Sequence, residues 1–198
     1  MKPSISRHTQ TDTRALILKH AQALLLTRSY LGLSFQDLAN HVGIRKASLY
    51  HHFASKEALG IALIDATGAR FMHWAQSLQN SSATTQLQAY VQMFRDGIGA
   101  GQKVCPIGAT GGEWDCLEPA LQDRIRQLHL SQLQWLTATT LQLDSITTLK
   151  SSALRQHTAT ARAHLINALC QGAMLSARLH ASAQVFDAAT TPLNDLLQ

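Results

Sequence analysis

The chain has 198 residues, 45% of them hydrophobic and 15% charged, with 11 Gly and 4 Pro. That suits one small module plus one medium domain, or a single helical unit, and excludes a disordered or collagen-like chain. The formal charge is +5, and all of it is N-terminal: residues 1–60 carry eight Lys/Arg against three acids, whereas residues 61–198 carry nine of each. A basic footprint confined to one third of the chain points to a polyanionic partner, nucleic acid ahead of a membrane surface. The plainer alternative is a solvated N-terminus.

Met1-Lys2-Pro3 leads into polar residues rather than the apolar run of a signal peptide, and no stretch of 18 apolar residues exists. Cys105, Cys116 and Cys170 are odd in number and lack CxxC spacing. The expectation is a cytoplasmic protein with reduced thiols, no membrane partner, no cofactor and no metal.

Residues 1–12 are polar and are expected to form a flexible arm. From Thr13 to Arg28, Ile17, Ala21, Leu24, Leu25 and the stem of Arg28 recur at helical spacing. Ser34 reads as the N-cap of a second helix, with Asp37 three residues on and Leu38, Ala39 and Val42 inward. Gly43 supplies a tight turn. A third helix over 45–51 turns Leu49 inward, and Phe53 closes the module. Ser55 caps a fourth helix that runs to about residue 79.

Beyond the break at Asn80-Ser81-Ser82, Leu87, Tyr90, Val91, Phe94 and Ile98 mark a fifth helix. A short apolar segment, 104–117, carries two of the cysteines. Glu118-Pro119 opens a helix with the stripe Leu121, Ile125, Leu128, Gln132, Trp135 and Thr139. A Ser/Thr-rich stretch over 145–152 reads as a connection. A helix over 158–179 is expected to carry Leu165, Leu169, Ala173 and Leu175 inward, and a last helix covers 183–197. No run alternates in the manner of a strand, so the fold class is all-α.

The most informative stretch is 34–59, SFQDLANHVGIRKASLYHHFASKEAL. Two short helices meet at a glycine turn, and the second carries polar and basic residues outward. That is the pattern needed to brace one helix across a DNA backbone and set the next in a major groove. His51 and His52 are adjacent on a helix and diverge by about 100°, so they do not chelate one ion easily.

The run DLA-x-x-VGI at 37–44, KASLYHHF at 46–53 and SKEAL at 55–59, joined to the upstream amphipathic helix, resembles the TetR family of bacterial regulators. The resemblance implies an N-terminal three-helix helix-turn-helix module (residues 13–58, motif 34–53) joined to a helical effector-binding and dimerisation domain (59–198). It implies a homodimeric repressor that binds palindromic double-stranded operator DNA and is released by an effector. Tyr50 and Lys56 then match phosphate-contacting positions, and Arg45, Lys46, Ala47, Ser48 and His51 face the groove. Arg45 suits bidentate contact to guanine, Lys46 suits phosphate or guanine, and Ser34 heads a helix whose N–H groups suit phosphate. Two positions depart from the family pattern: Arg45 replaces a small residue, and Ser29 replaces the glycine usual before Tyr30.

The family also implies a pocket for a small molecule, with Trp74, Tyr90, Phe94, Cys105, Glu113, Trp114, Trp135 and Met174 as its expected wall. The alternative for each is plain core. Ala168, Gly172 and Ser176 at i, i+4, i+8 make a small-residue helix face expected at the dimer interface, the alternative being a contact within one subunit. Cys105 precedes a helix start where a dipole favours an anion, and some family members place a reactive cysteine there. It is expected to sense an electrophile or oxidant, or else to be an inert core thiol. Two rivals stand beside this reading. One is a helical protein-binding adaptor. The other is an enzyme using Cys105 or a Glu113/His129 pair, for which no nucleophile elbow, phosphate loop or metal-spaced motif is present.

Overall fold

The computed structural model describes residues 7–196, with side chains from 13 to 195. Helices follow one another as α1 (Arg7–Arg28), α2 (Phe35–Val42), α3 (Lys46–His52), α4 (Lys56–Ser77), α5 (Ala83–Gly97), α6 (Pro106–Gly111), α7 (Pro119–Thr140), α8 (Asp144–Thr147), α9 (Ser152–Leu179), α10 (Ala183–Thr190) and α11 (Leu193–Leu196). A 3-10 turn at Trp114–Cys116 separates α6 from α7. Among the described residues there is no strand, as the missing period-2 pattern requires. No helix among them is long and apolar enough to cross a membrane.

Two hydrophobic cores lie along the molecule. The first joins Ile17, Ala21, Leu25, Leu33, Leu38, Leu49 and Phe53 of the N-terminal helices to Leu59, Leu63 and Ile64 of α4 and to Leu121, Ile125 and Leu128 of α7. The second gathers Phe71, Leu87, Tyr90, Phe94, Leu136, Ile166, Cys170, Met174 and Phe186. Helix α4 contributes to both, and its 22 residues span about 33 Å. Gly60 permits close packing of α4 within the first core. A Cβ there would stand 2.9 Å from the Tyr30 ring and 3.0 Å from a Leu121 methyl.

Caps fall where the sequence places them. Ser34 Oγ accepts from Asp37 N at 3.0 Å, and Ser55 Oγ from Ala58 N at 3.0 Å. Pro119 stands in the first turn of α7.

Several expectations are corrected. The first helix begins at Arg7, six residues before Thr13, so half of the expected arm is helical and the rest lies outside the described residues. Arg28 does not join the apolar face: it is 51% exposed and pairs with Asp37 at 3.7 Å. The 145–152 stretch is not wholly a connection, because α8 and the start of α9 occupy part of it. On α9 the buried face is Ala159, Ala163, Ile166, Cys170, Ala173 and Ala177, whereas Leu165 and Leu175 are 47% and 56% exposed. Small residues win the inward positions because α7 and α10 pack closely against α9. The final helix is split near Pro192, whose ring supplies no N–H to continue it.

Candidate functional site

Helices α2 and α3 are joined by a turn in which Gly43 takes φ 76°. The N–H groups of Gly43 and Ile44 both donate to Ala39 O, at 2.9 and 3.1 Å, so the turn closes on the end of α2. Leu49 and Phe53, 0% and 4% exposed, anchor α3 from below. With those positions inward, Lys46, Ala47, Tyr50 and His51 are exposed on the outer face, Ser48 is half-buried, and Arg45 precedes the first turn in extended conformation. One uninterrupted surface therefore carries two strong cations, a phenol and an imidazole. Tyr50 is 52% exposed, and its ring rests on Phe35 with centroids 5.0 Å apart.

Ser34 is exposed at the head of α2, its oxygen engaged in the cap. Lys56 is placed differently from the rest. Its ammonium donates to Leu31 O at 3.3 Å and lies 4.6 Å from the centroid of the Tyr30 ring. Burial lowers its pKa, while the charges of Glu113 and Glu118 pull the other way.

The turn after α1 is held by residues from far along the chain. Glu113 accepts from the N–H groups of Tyr30 and Leu31, each at 3.0 Å, and from the Ser29 hydroxyl. Glu118 accepts from the Tyr30 hydroxyl at 3.0 Å. Burial first, and then Glu118, push the Tyr30 pKa upward. On the other side, the Arg178 guanidinium at the end of α9 donates to Thr27 O at 2.8 Å and Leu26 O at 3.3 Å, and to Gln102 O at 3.4 Å. The last carbonyls of α1, which no helical N–H can reach, are thus capped from α9.

Below this junction lies a cavity of 330 Å³ among α1, α4, α5, α6, α7 and α9. Of its expected wall, Trp74, Phe94, Cys105 and Met174 line it. Tyr90 is fully buried beneath, accepting from Asn167 Nδ2 at 2.8 Å. Trp135 packs on Trp74, Phe71 and Tyr90 and faces a separate groove. Glu113 and Trp114 do not belong to the wall. Glu113 serves the α1 turn, and Trp114 lies under Arg126, whose guanidinium is 4.9 Å from the ring centroid. Both follow α6 and are carried toward the first core. Sequence reasoning missed Arg70 and Gln132 as cavity residues and Arg178 as a cap. Gln132 stood on an apolar stripe, which was a usable signal, whereas nothing local marks the other two.

Cys105 is half-buried at the N-cap of α6 and receives a hydrogen bond from Gln171 Nε2 at 3.4 Å. Cys116 is exposed. Cys170 is buried, and burial pushes its thiol up to about 12. On α9, Ala168 and Gly172 are exposed and Ser176 is half-buried, flanked by the exposed Leu165, Leu175 and Leu179. The spacing 165, 168, 172, 175, 179 is the alternating three-and-four step of a helix-pairing seam.

Residues 17–63 match the bacterial regulatory proteins of the tetR family. The chain is 33% identical over 94 residues to the HTH-type transcriptional repressor NemR of Escherichia coli K12, covering 48% of this chain and 43% of that protein. It is 42% identical over 60 residues to the HTH-type transcriptional regulator EthR of Mycolicibacterium smegmatis, covering 30% and 28%. The chain thus aligns with under half the length of these relatives. Among solved structures, a TetR-family regulator from Agrobacterium tumefaciens superposes with a TM-score of 0.83 at 28% identity, over 94% of this chain and 97% of that one. The reduced form of Escherichia coli NemR gives 0.74 at 21% identity over 93% and 96%, which shows a shared fold.

Proposed function

Since this chain belongs to the TetR family of bacterial helix-turn-helix transcriptional regulators, we propose that it is a repressor whose α3 enters the major groove of a palindromic operator and whose cavity takes the releasing effector. The observation that carries this is the outer face of α3. Lys46, Tyr50 and His51 are exposed together on a helix whose opposite side is locked by Leu49 and Phe53. Arg45 and His51 are the base readers, Lys46 and the Tyr50 hydroxyl bind phosphate, and Ala47 and Ser48 allow close approach. Ser34 brings the N-terminus of α2 to a phosphate. Lys56 acts mainly by bracing the Tyr30–Leu31 turn, with phosphate contact as a secondary role.

Residues 13–58 form the reading head and 59–198 the sensing and dimerisation domain, coupled because α4 runs through both cores. Two copies pair through the α9 seam of Leu165, Ala168, Gly172, Leu175 and Leu179, with Ser176 at its edge. Their recognition helices then stand about 34–36 Å apart, one turn of DNA. An effector that binds best at another spacing weakens DNA binding, and operator DNA weakens effector binding by the same factor.

A second trigger is supported by Cys105, a half-buried thiol on the cavity wall. Alkylation or oxidation there introduces bulk or charge between α6 and α9 and acts on the same junction.

The deciding experiment is a fluorescence-anisotropy titration of the protein with DNA from immediately upstream of its coding sequence, across a salt series. Tight binding that weakens with salt and is lost in Tyr50→Ala supports the reading. If neither that DNA nor a random-sequence pool is bound at low salt, DNA binding is refuted and a protein-binding adaptor takes its place.

A further inference from the structure

The cavity combines an apolar wall with an unusual polar complement. Phe71, Trp74, Met93, Phe94 and Met174 supply aromatic and thioether surface. Arg70 is the cavity's charged residue, and no Asp or Glu lines it. Its guanidinium donates to the Thr67 hydroxyl at 3.0 Å and has no carboxylate partner among the described residues. Arg70 is exposed at the mouth of the cavity, and partial burial of its guanidinium lowers its pKa. Gln132 is 3% exposed, lines the same cavity, and its Oε1 has no hydrogen-bond partner among the described residues. An orphaned amide on an apolar wall costs free energy until something bonds to it.

We propose that the cavity selects a small organic monoanion with a flat apolar body, its carboxylate or equivalent held by Arg70 and a hydroxyl on the body donating to Gln132. The planar fork of Arg70 matches a carboxylate in bidentate fashion, and the missing acid leaves its charge for the ligand to neutralise. The same arrangement rejects organic cations, since a second positive charge beside Arg70 has nothing to balance it. The aromatic wall takes flat rings, and 330 Å³ admits a molecule of two fused rings with its substituents. This rests on the cavity being the effector site of a DNA-binding regulator, but its chemistry can be tested apart from DNA.

The test is isothermal titration of the full-length protein with four probes sharing one ring system: naphthoate, hydroxynaphthoate, naphthamide and naphthylmethylammonium. Naphthoate is expected to bind about tenfold tighter than the neutral amide, and the ammonium more weakly than either. Hydroxynaphthoate is expected to exceed naphthoate by a further several-fold. Arg70→Gln brings naphthoate down to the level of naphthamide and leaves naphthamide unchanged. Gln132→Leu removes only the hydroxyl preference. Gly97→Phe abolishes binding of all four, because a Cβ at Gly97 has Met174 Cε as its nearest neighbour at 4.0 Å and the larger ring fills the cavity. Thermal melting of each variant confirms that it folds.

Equal affinity for anion, amide and ammonium overturns the proposal, as does an anion preference that survives Arg70→Gln or the binding of none of the probes. Anion-selective binding that leaves an operator complex intact confirms the ligand class while overturning the effector reading of the cavity.

Discussion

Ser29 adopts a left-handed backbone conformation, φ 63°, while its hydroxyl donates to the carboxylate of Glu113, 84 residues further along the chain. The position disfavours a side chain, and Glu113 offsets that cost with three hydrogen bonds to the same turn. The turn that sets α2 relative to α1 is therefore held from the segment between α6 and α7.

This relationship predicts a non-additive pair. Glu113→Ala leaves the Tyr30 and Leu31 N–H groups without an acceptor and should cost about 1–3 kcal/mol of stability. Ser29→Gly should be near neutral in the native background, where lost strain and lost hydrogen bond offset each other. In the Glu113→Ala background it should stabilise by about 1 kcal/mol. Denaturant melts of the four proteins complete the cycle, and strict additivity would refute the relationship.

Arg178 gives a second prediction. Its guanidinium spans carbonyls of Leu26, Thr27 and Gln102, a fork that a single ammonium cannot reproduce. Both Arg178→Ala and Arg178→Lys should lower stability, by about 1–2 kcal/mol. Both should also blunt the release of DNA by a cavity ligand while leaving that ligand's affinity nearly unchanged, as parallel anisotropy and calorimetric titrations would show.

On the DNA side, Tyr50→Phe removes the hydroxyl and keeps the ring stacked on Phe35. Its affinity should fall by about 1 kcal/mol on every sequence, with specificity retained. Lys46→Ala should shallow the slope of log affinity against log salt by about one unit per subunit, if that ammonium meets a phosphate. Arg45→Ala should instead relax preference at one base pair in each half-site. Binding to a randomised operator library separates these outcomes.

The thiols differ in access. A maleimide should modify Cys116 and then Cys105 in the native protein, and Cys170 only after unfolding. Cys170 also sets a pH dependence. Its folded pKa, raised by burial to about 12, lies above the value of about 8.5 for an exposed thiol. The folded state keeps a proton that the unfolded state loses, so stability falls as pH rises from about 8.5 toward 12. Cys170→Ala should flatten that decline relative to the native protein, and chemical denaturation at a series of alkaline pH values reads the difference.

The α9 seam is tested by Leu175→Glu, which places a charge among exposed leucines. Sedimentation should show a dimer become a monomer that still melts cooperatively, with operator affinity falling by orders of magnitude because half-sites no longer act together. A variant that stays dimeric would place the interface elsewhere.

The sequence by itself determined the all-α class and, to within about one residue, the boundaries of α2 and α3. Those depend on local signals: Ser34 and Ser55 as caps, Gly43 at a positive φ, and Leu49 and Phe53 at helical spacing. Local hydrogen bonding and amphipathic period are enough to specify such features. Only the tertiary structure decided which face of α9 is buried, because Leu165 and Leu175 are as apolar as Ile166 and are exposed for lack of a neighbouring helix on that face. It also moved Glu113 from the cavity wall to the Ser29 turn, and brought Arg70 and Gln132 to one cavity and Arg178 to the end of α1. The partners of a long polar side chain are set by which helices meet, and contacts between residues up to 152 positions apart leave no mark on the sequence near either end.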